Sequence, residues 1–237
     1  NKSFLIEEAI ASIISEPEFS KEVNITISDN SLNNDIRDLY DKKYSMNKSI
    51  EIFDSKAFKC LDSNVNRAVN IASGKYVWIF GDDDLIVPSA LKEIINFLKK
   101  KKPKLLILNS KSFQGNEIIE ESRRPNGMKS FYAKNENDEF LQDLAGYLTY
   151  VGCICVKREL WLKYFDKTKI GTFFAHIQCL AAMKIGNEVH YLSSPVIKMR
   201  LGNQTWTNKS FLIWHKLYPE IIWLSLIHIS EPTRPYL

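Results

Sequence analysis

From Phe4 to Leu108 the hydrophobic pattern keeps switching period, and that alternation constrains the fold more than any other feature of the chain. Residues 4–15 (FLIEEAIASIIS) put Leu5, Ile6, Ala9, Ile10, Ile13 and Ile14 on one helical stripe, which ends before Pro17. Val23 to Ser28 alternates at period two, as a strand does, and runs into Asp29-Asn30-Ser31, three residues that favour turns. A short helix over 35–44 and a strand over Ser49–Phe53 follow. Asp62-Ser63-Asn64 supply N-caps for a helix over 65–73, with Gly74 as the residue just past its end. Lys75–Phe80 (KYVWIF) reads as a strand buried on both faces. Pro88 suits the start of a helix over 89–101, and Lys104–Leu108 (KLLIL) is another buried strand. Helices alternating with strands predict an α/β layered fold, with a mostly parallel central sheet and helices on both faces.

The second half is less regular. Residues 114–138 are polar and read as a loop. Tyr147–Val156 is a strand candidate, Lys157–Phe165 a short helix, and Phe174–Lys184 a helix followed by Gly186. Short strands at Val189–Leu192 and Val196–Met199 flank Pro195, and 208–223 forms a closing helix interrupted at Pro219. At 237 residues, with 45% hydrophobic and 25% charged content, this is one folded domain rather than a disordered chain. We place it at 1–224, with 1–110 and 111–224 as its two parts. The stretch 225–237 resembles a foreign tail.

The net charge of +4 owes much to Lys99–Lys102, which reads as a solvated helix end, and no basic stripe with interleaved aromatics points to nucleic acid. Cys60, Cys153, Cys155 and Cys179 form no CxxC pair and no zinc spacing, so they read as small buried hydrophobes in a reduced, cytoplasmic protein. On a strand, Cys153 and Cys155 would point to the same side. No run of 18 apolar residues exists and no signal peptide opens the sequence.

The chemistry gathers at strand ends. Gly81-Asp82-Asp83-Asp84 puts three carboxylates after the KYVWIF strand with no base beside them. Like charges that close repel unless a cation or hydrogen-bond donors compensate. Mg²⁺ and Mn²⁺ prefer oxygen ligands of this kind, often shared with substrate phosphates. In α/β sheets, ligands bind beyond the carboxyl ends of strands. The plain alternative is a solvated acidic turn preceding a helix. Asp29 stands at a second strand end, where it either meets a ligand or makes an Asx-turn. Arg200, Asn203 and Trp206 follow the last strand; Arg suits a diphosphate and Trp a sugar face. Phe211, Trp214, Tyr218 and Trp223 either pack into the core, the favoured reading, or lie on a membrane surface.

These blocks together resemble the family 2 glycosyltransferases, which have the glycosyltransferase A fold. The resemblance rests on FLIEEAIASII, ITISDNS, NVNRAVNIASGKYVWIFGDDDLIVPSAL and GCICVKRELW, and covers most of residues 1–206. Through FFAHIQCL and MRLGNQTW it is most similar to the abequosyltransferase-like members of O-antigen assembly. The resemblance implies a nucleotide-sugar donor, Mn²⁺ or Mg²⁺, and a saccharide acceptor, free or lipid-linked, met at the inner face of the cell membrane. It implies that Asp29 contacts the donor's base and that Asp82–Asp84 are a DxD-type motif. In that motif Asp82 and Asp83 meet the donor, and Asp83 and Asp84 hold the metal. It implies that the family's first strand is missing before Asn1. At the place of the family's usual late-helix carboxylate base stands Phe174-Ala175-His176-Ile177; His176 is the candidate base, or else a donor to the acceptor sugar or to phosphate, or a structural histidine capping the helix start. Two rivals stay open: a nucleotidyltransferase of sugar phosphates, which would want a Gly-rich phosphate loop not seen here, and a non-catalytic saccharide-binding relic of the fold.

Overall fold

Leu105, Leu106, Ile107 and Leu108 are all fully buried, yet they belong to two different cores. Leu105 and Ile107 point into one and Leu106 and Leu108 into the other, so their strand is covered on both faces. The computed structural model describes residues 2–19, 21–125, 128–133, 136–183, 189–203 and 207–223. The proposed tail at 225–237, Gly186 and Trp206 lie outside them.

In chain order the elements are α1 (Lys2–Ile14), β1 (Ile25–Asp29), α2 (Asp35–Lys43), β2 (Ile50–Asp54), α3 (Leu61–Ile71), β3 (Tyr76–Trp78), β4 (Leu85–Ile86) and α4 (Ala90–Lys101). Then come β5 (Leu105–Gln114), β6 (Glu117–Glu120), β7 (Phe131–Tyr132), α5 (Asn137–Leu148), β8 (Ile154–Lys157), α6 (Arg158–Tyr164), α7 (Ala175–Ala182) and β9 (Val189–Arg200). A closing helical segment runs over 210–223.

The large sheet has the order β3-β8-β5-β9-β4, with β6 on β5 and β7 on β9. β1 and β2 form a separate parallel pair, with Asp29 opposite Asp54. One core lies between the large sheet and α3, α5, α6, α7 and the closing helix. The other lies beneath α1, α2, α4 and the β1–β2 pair. The α/β layering is as expected, and among the described residues no helix is long and apolar enough to cross a membrane.

Several sequence expectations need correction. The large sheet is mixed rather than mostly parallel: β5 runs parallel to β9, while β3–β8, β5–β8 and β4–β9 are antiparallel. β3 is half-buried rather than buried on both faces, because the strand order leaves it at the sheet's edge. The polar stretch 114–138 contains β6, β7 and the start of α5. Tyr147–Val156 is not one strand; it comprises the end of α5, a 3₁₀ turn at Val151–Cys153 and then β8. That turn shifts the register, so Cys153 and Cys155 enter opposite cores. β9 is continuous through Pro195, whose place is absorbed by register shifts opposite Leu108–Ser110. The closing helix widens into a π turn at Ile213–Leu217, where the Tyr218 amide bonds the Ile213 carbonyl just before Pro219, which has no amide hydrogen to give.

The start of α3 bears most on the site. Asp62, Ser63 and Asn64 do not precede the helix; they form its first turn, and Cys60 is the N-cap. Ser63 Oγ accepts from the Cys60 amide at 3.3 Å. Asp62 and Asn64 are thereby released to bond sideways to other elements.

Candidate active site

The acidic turn links β3 to β4, and its three carboxylates live in three environments. Asp84 is deepest, 2% exposed. Its Oδ2 accepts the Tyr150 hydroxyl at 2.5 Å and its Oδ1 the Arg200 amide at 3.0 Å. Burial pushes its carboxyl up to about 7, against the pull of the Tyr150 hydroxyl and with the push of Asp83. Asp83 is half-buried. Its Oδ2 accepts from Asn203 Nδ2, and its carbonyl accepts from Arg200 Nε at 2.9 Å. Asp82 is exposed at its surface, but the protein beneath it withholds hydration and Asp83 adds repulsion, so its carboxyl is raised; Lys2 of α1 eases this.

Arg200 braces the turn from behind. Its Nη2 reaches Glu8 Oε2 on α1 at 2.9 Å, and its guanidinium lies 4.7 Å from the Phe113 ring centre. A cavity of about 320 Å³ beside it is lined by Phe4, Glu8, Leu85, Phe113 and Lys198; of the expected site residues only Arg200 reaches it. Gly81 makes the turn possible. A Cβ there would stand 2.7 Å from Asp84 Oδ2 and 3.0 Å from Asp83 Oδ1, closer than side chains tolerate.

Two expectations change here. Asp84 was expected to hold a metal, but it is buried and both its oxygens already accept hydrogen bonds from the protein. Arg200 was expected to meet a diphosphate, but its guanidinium is turned to Glu8 and to the turn's own backbone. Among the described residues no three His, Cys, Asp or Glu side chains gather in a way that could hold an ion alone. What remains less enclosed is a pair of adjacent carboxylates on a braced turn, Asp82 exposed and Asp83 half-buried with its Oδ2 on Asn203. Two carboxylates completed by substrate phosphates are a common Mg²⁺ arrangement.

Asp29 ends β1, 7% exposed. Its Oδ1 accepts from the Ser31 amide at 3.0 Å and the Ser31 hydroxyl at 2.6 Å, which is the Asx-turn. Oδ2 takes part in neither bond. Among the described residues no hydrogen bond ties Asp29 to the acidic turn: the structure brings Asp82, Asp83, Asp84 and Arg200 together and leaves Asp29 on the smaller sheet.

Among the described residues His176 bonds neither Asp29 nor the acidic turn; its ring nitrogen meets the end of α5, two residues before the Tyr150 that holds Asp84. It lies in the first turn of α7, 3% exposed, with Nε2 2.9 Å from the Leu148 carbonyl, to which it donates. Burial lowers its pKa, partly offset by that carbonyl and by the charge of Asp62. In this structure the ring is enclosed, with one nitrogen bonded within the protein, so the candidate base packs as a structural histidine would at a helix start.

Sequence reasoning missed Tyr150, Glu8 and Asp62. Tyr150 was hidden inside an apparent strand, and Glu8 is one of two adjacent acids beside the apolar stripe of α1. Asp62 looked like a local cap.

Comparison with known proteins supplies independent findings. A sequence model of the glycosyl transferase family 2 matches residues 1–161. The abequosyltransferase RfbV of Salmonella typhimurium is 26% identical over 225 residues, which is 88% of this chain and 66% of that protein. The structure of S. aureus TarS 1–349 superimposes with a TM-score of 0.69 at 14% identity, covering 98% of this chain and 64% of that one. The same protein in complex with UDP-GlcNAc gives 0.66 at 14% identity, covering 99% and 65%. The chain thus spans a little under two thirds of the length of these relatives.

Proposed function

This chain belongs to glycosyl transferase family 2, and from that membership we propose that it moves a sugar from a nucleotide-sugar donor to a saccharide acceptor in bacterial surface polysaccharide synthesis. The similarity to the abequosyltransferase supports the pathway class. The TarS complexes with UDP and UDP-GlcNAc support the donor class. The observation that carries the reading is the braced acidic turn, which leaves Asp82 exposed and Asp83 half-buried while Asp84, Tyr150, Arg200 and Asn203 hold it.

In this reading Asp82 and Asp83 hold Mn²⁺ or Mg²⁺ together with the donor's diphosphate. When bound, the ion offsets the charge that develops on the nucleoside diphosphate leaving group. Asp84 does not ligate; it anchors the turn. Asp29 offers Oδ2 to the donor's base, and its Oδ1 bonds to Ser31 fix the direction of that oxygen. The acceptor is free or lipid-linked, met at the inner face of the cell membrane. Peripheral membrane contact through the closing helix is supported by its two faces: Ile213 and Ile221 are buried, while Phe211 and Trp223 are 77% and 66% exposed.

Calorimetry with UDP, CDP, GDP and ADP, each with and without Mn²⁺, tests this. One diphosphate should bind the wild type only with Mn²⁺, Asp83→Ala should lose that binding, and Asp29→Ala should weaken it about tenfold or more, the worth of one charged hydrogen bond. If none of the four binds in either condition, or if Asp82→Ala and Asp83→Ala both retain wild-type affinity, the reading fails.

A further inference from the structure

The first turn of α3 carries two polar side chains that bond in different directions. Asp62, 3% exposed, accepts three backbone N–H groups from one distant turn: Gly171 and Phe173 on Oδ2, each at 2.9 Å, and Ala175 on Oδ1 at 3.2 Å. Two residues on, Asn64 bonds the end of β1: its Nδ2 donates to the Ser28 carbonyl at 3.2 Å, and its Oδ1 lies 2.8 Å from Ser28 Oγ. Ser28 is the neighbour of Asp29. One helical turn therefore holds the strand end that carries Asp29 and, separately, the approach to α7.

The turn held by Asp62 is strained. Gly171 has φ +100, and Phe173, a bulky residue with a Cβ, has φ +67. Left-handed backbone at such a residue persists only where its surroundings over-determine it, and strain of this kind gathers at functional sites. Here the over-determining group is a buried carboxylate whose oxygens are used on that turn's amides. The turn presents Thr172 and Phe173, both half-buried, with Lys209 Nζ 6.0 Å from the Phe173 ring centre. The Thr172 hydroxyl is used within the turn, donating to the Lys169 carbonyl at 2.8 Å, so what the turn offers is an aromatic face beside an ammonium group, a pairing suited to a sugar ring.

We propose that Asp62 is a positioning residue: it sets the 171–175 turn as the surface that receives the acceptor sugar, while Asn64, on the same helical turn, sets the donor side through Ser28. The proposal rests on the glycosyltransferase reading above. The same turn of α3 is thereby bonded to both segments. At its other end α3 is bolted to α6, with Arg158 Nε donating to the Val69 carbonyl at 2.9 Å and Trp161 Nε1 to Asn66 Oδ1 at 3.1 Å.

The test is a crossed pair of variants, Asp62→Asn and Asn64→Ala, read by amide hydrogen exchange and by calorimetry with the nucleoside diphosphates and Mn²⁺. Asp62→Asn should speed exchange at Gly171, Phe173 and Ala175 at least tenfold and leave diphosphate affinity within twofold. Asn64→Ala should weaken diphosphate binding and leave those amides protected. In kinetics, release of nucleoside diphosphate from the nucleotide-sugar, stimulated by a panel of free hexoses, should lose at least tenfold in kcat in Asp62→Asn, with the donor KM within twofold. Unchanged exchange at the three amides overturns the proposal, as does a loss of diphosphate affinity in Asp62→Asn equal to that in Asn64→Ala. Should Asp62→Asn not fold, the wild type decides: amides at 171, 173 and 175 that exchange at unprotected rates overturn the positioning role. A wild type that binds no diphosphate defeats the glycosyltransferase reading, while the exchange data still decide what Asp62 holds.

Discussion

At Asp84 the cost of burying a carboxylate is set against the use of fixing a turn. The group is 2% exposed and is held by the Tyr150 hydroxyl and the Arg200 amide. A buried polar group left one partner short costs about 1–3 kcal/mol. Tyr150→Phe keeps the ring and removes only that donor, so we expect it to lose stability in that range. Its diphosphate binding with Mn²⁺ should also weaken, because the loosened turn carries Asp82 and Asp83. Urea unfolding and the calorimetry described above check both. Unchanged unfolding and unchanged binding together would mean that the bond does not hold the turn. At this scale the sequence was half legible. GDDD announces itself within one turn, and the need for compensating donors follows from charge alone. The donors themselves were not readable: Tyr150 is 66 residues from Asp84 and Arg200 is 116.

Elements were readable where local pattern and tertiary packing agree. α1, β1, β2 and α4 fall close to their expected places because stripes such as Ile6, Ala9 and Ile10 do face a core. α5 was missed because the run YLTYVGCICV is rich in β-formers, although Phe140, Leu141, Leu144 and Leu148 already have helical spacing and are all buried. Tertiary burial outweighed propensity there. α7 falls at its expected place, with His176 packed in its first turn. A ring neutral in the fold and held below its ordinary pKa by burial makes a signed prediction. Above pH 6.5, the ordinary value, neither folded nor unfolded chain protonates this ring and it has no effect on the pH dependence. As pH falls below that value the unfolded chain takes up a proton that the folded chain refuses. Stability then drops, by at most about 1.4 kcal/mol per pH unit, until the lowered folded pKa is passed. Replacing the ring by Gln removes this dependence. The stability advantage of wild type over His176→Gln should therefore shrink as pH is lowered from 7 to 5. A constant difference across that range would show that the imidazole is already accessible to protons in the folded state.

Across the whole molecule, the two sheets are unequally supported. β5 and β8 sit in the centre of the large sheet, with Leu105 to Leu108 and Ile154 fully enclosed. β1 and β2 pair only with each other among the described residues, and a two-stranded sheet is marginal without support. Their support is lateral: Asn64 of α3 on Ser28, and the packing of Ile27, Ile50 and Ile52 beneath α1 and α2. Amides in β5 and β8 should therefore exchange only through global unfolding, while those in β1 and β2 exchange through a cheaper opening. If β1 and β2 are as slow as β5, the small sheet is not a separate unit and its lateral anchors hold it as firmly as the large sheet holds its own strands. The same measurement joins the halves of the candidate site. Asp29 and the acidic turn share no hydrogen bond, so protection at one gives no reason for protection at the other. A nucleoside diphosphate that meets Asp29 with its base and Asp82 and Asp83 through a metal spans that gap. At a hundred times its dissociation constant it stabilises the bound state by about 2.7 kcal/mol. With Mn²⁺ and the diphosphate chosen by calorimetry, exchange should slow together at the end of β1 and at Gly81–Asp84, with Asp83→Ala abolishing both effects. Slowing at the acidic turn alone would leave Asp29 with its Asx-turn and place the donor's base elsewhere.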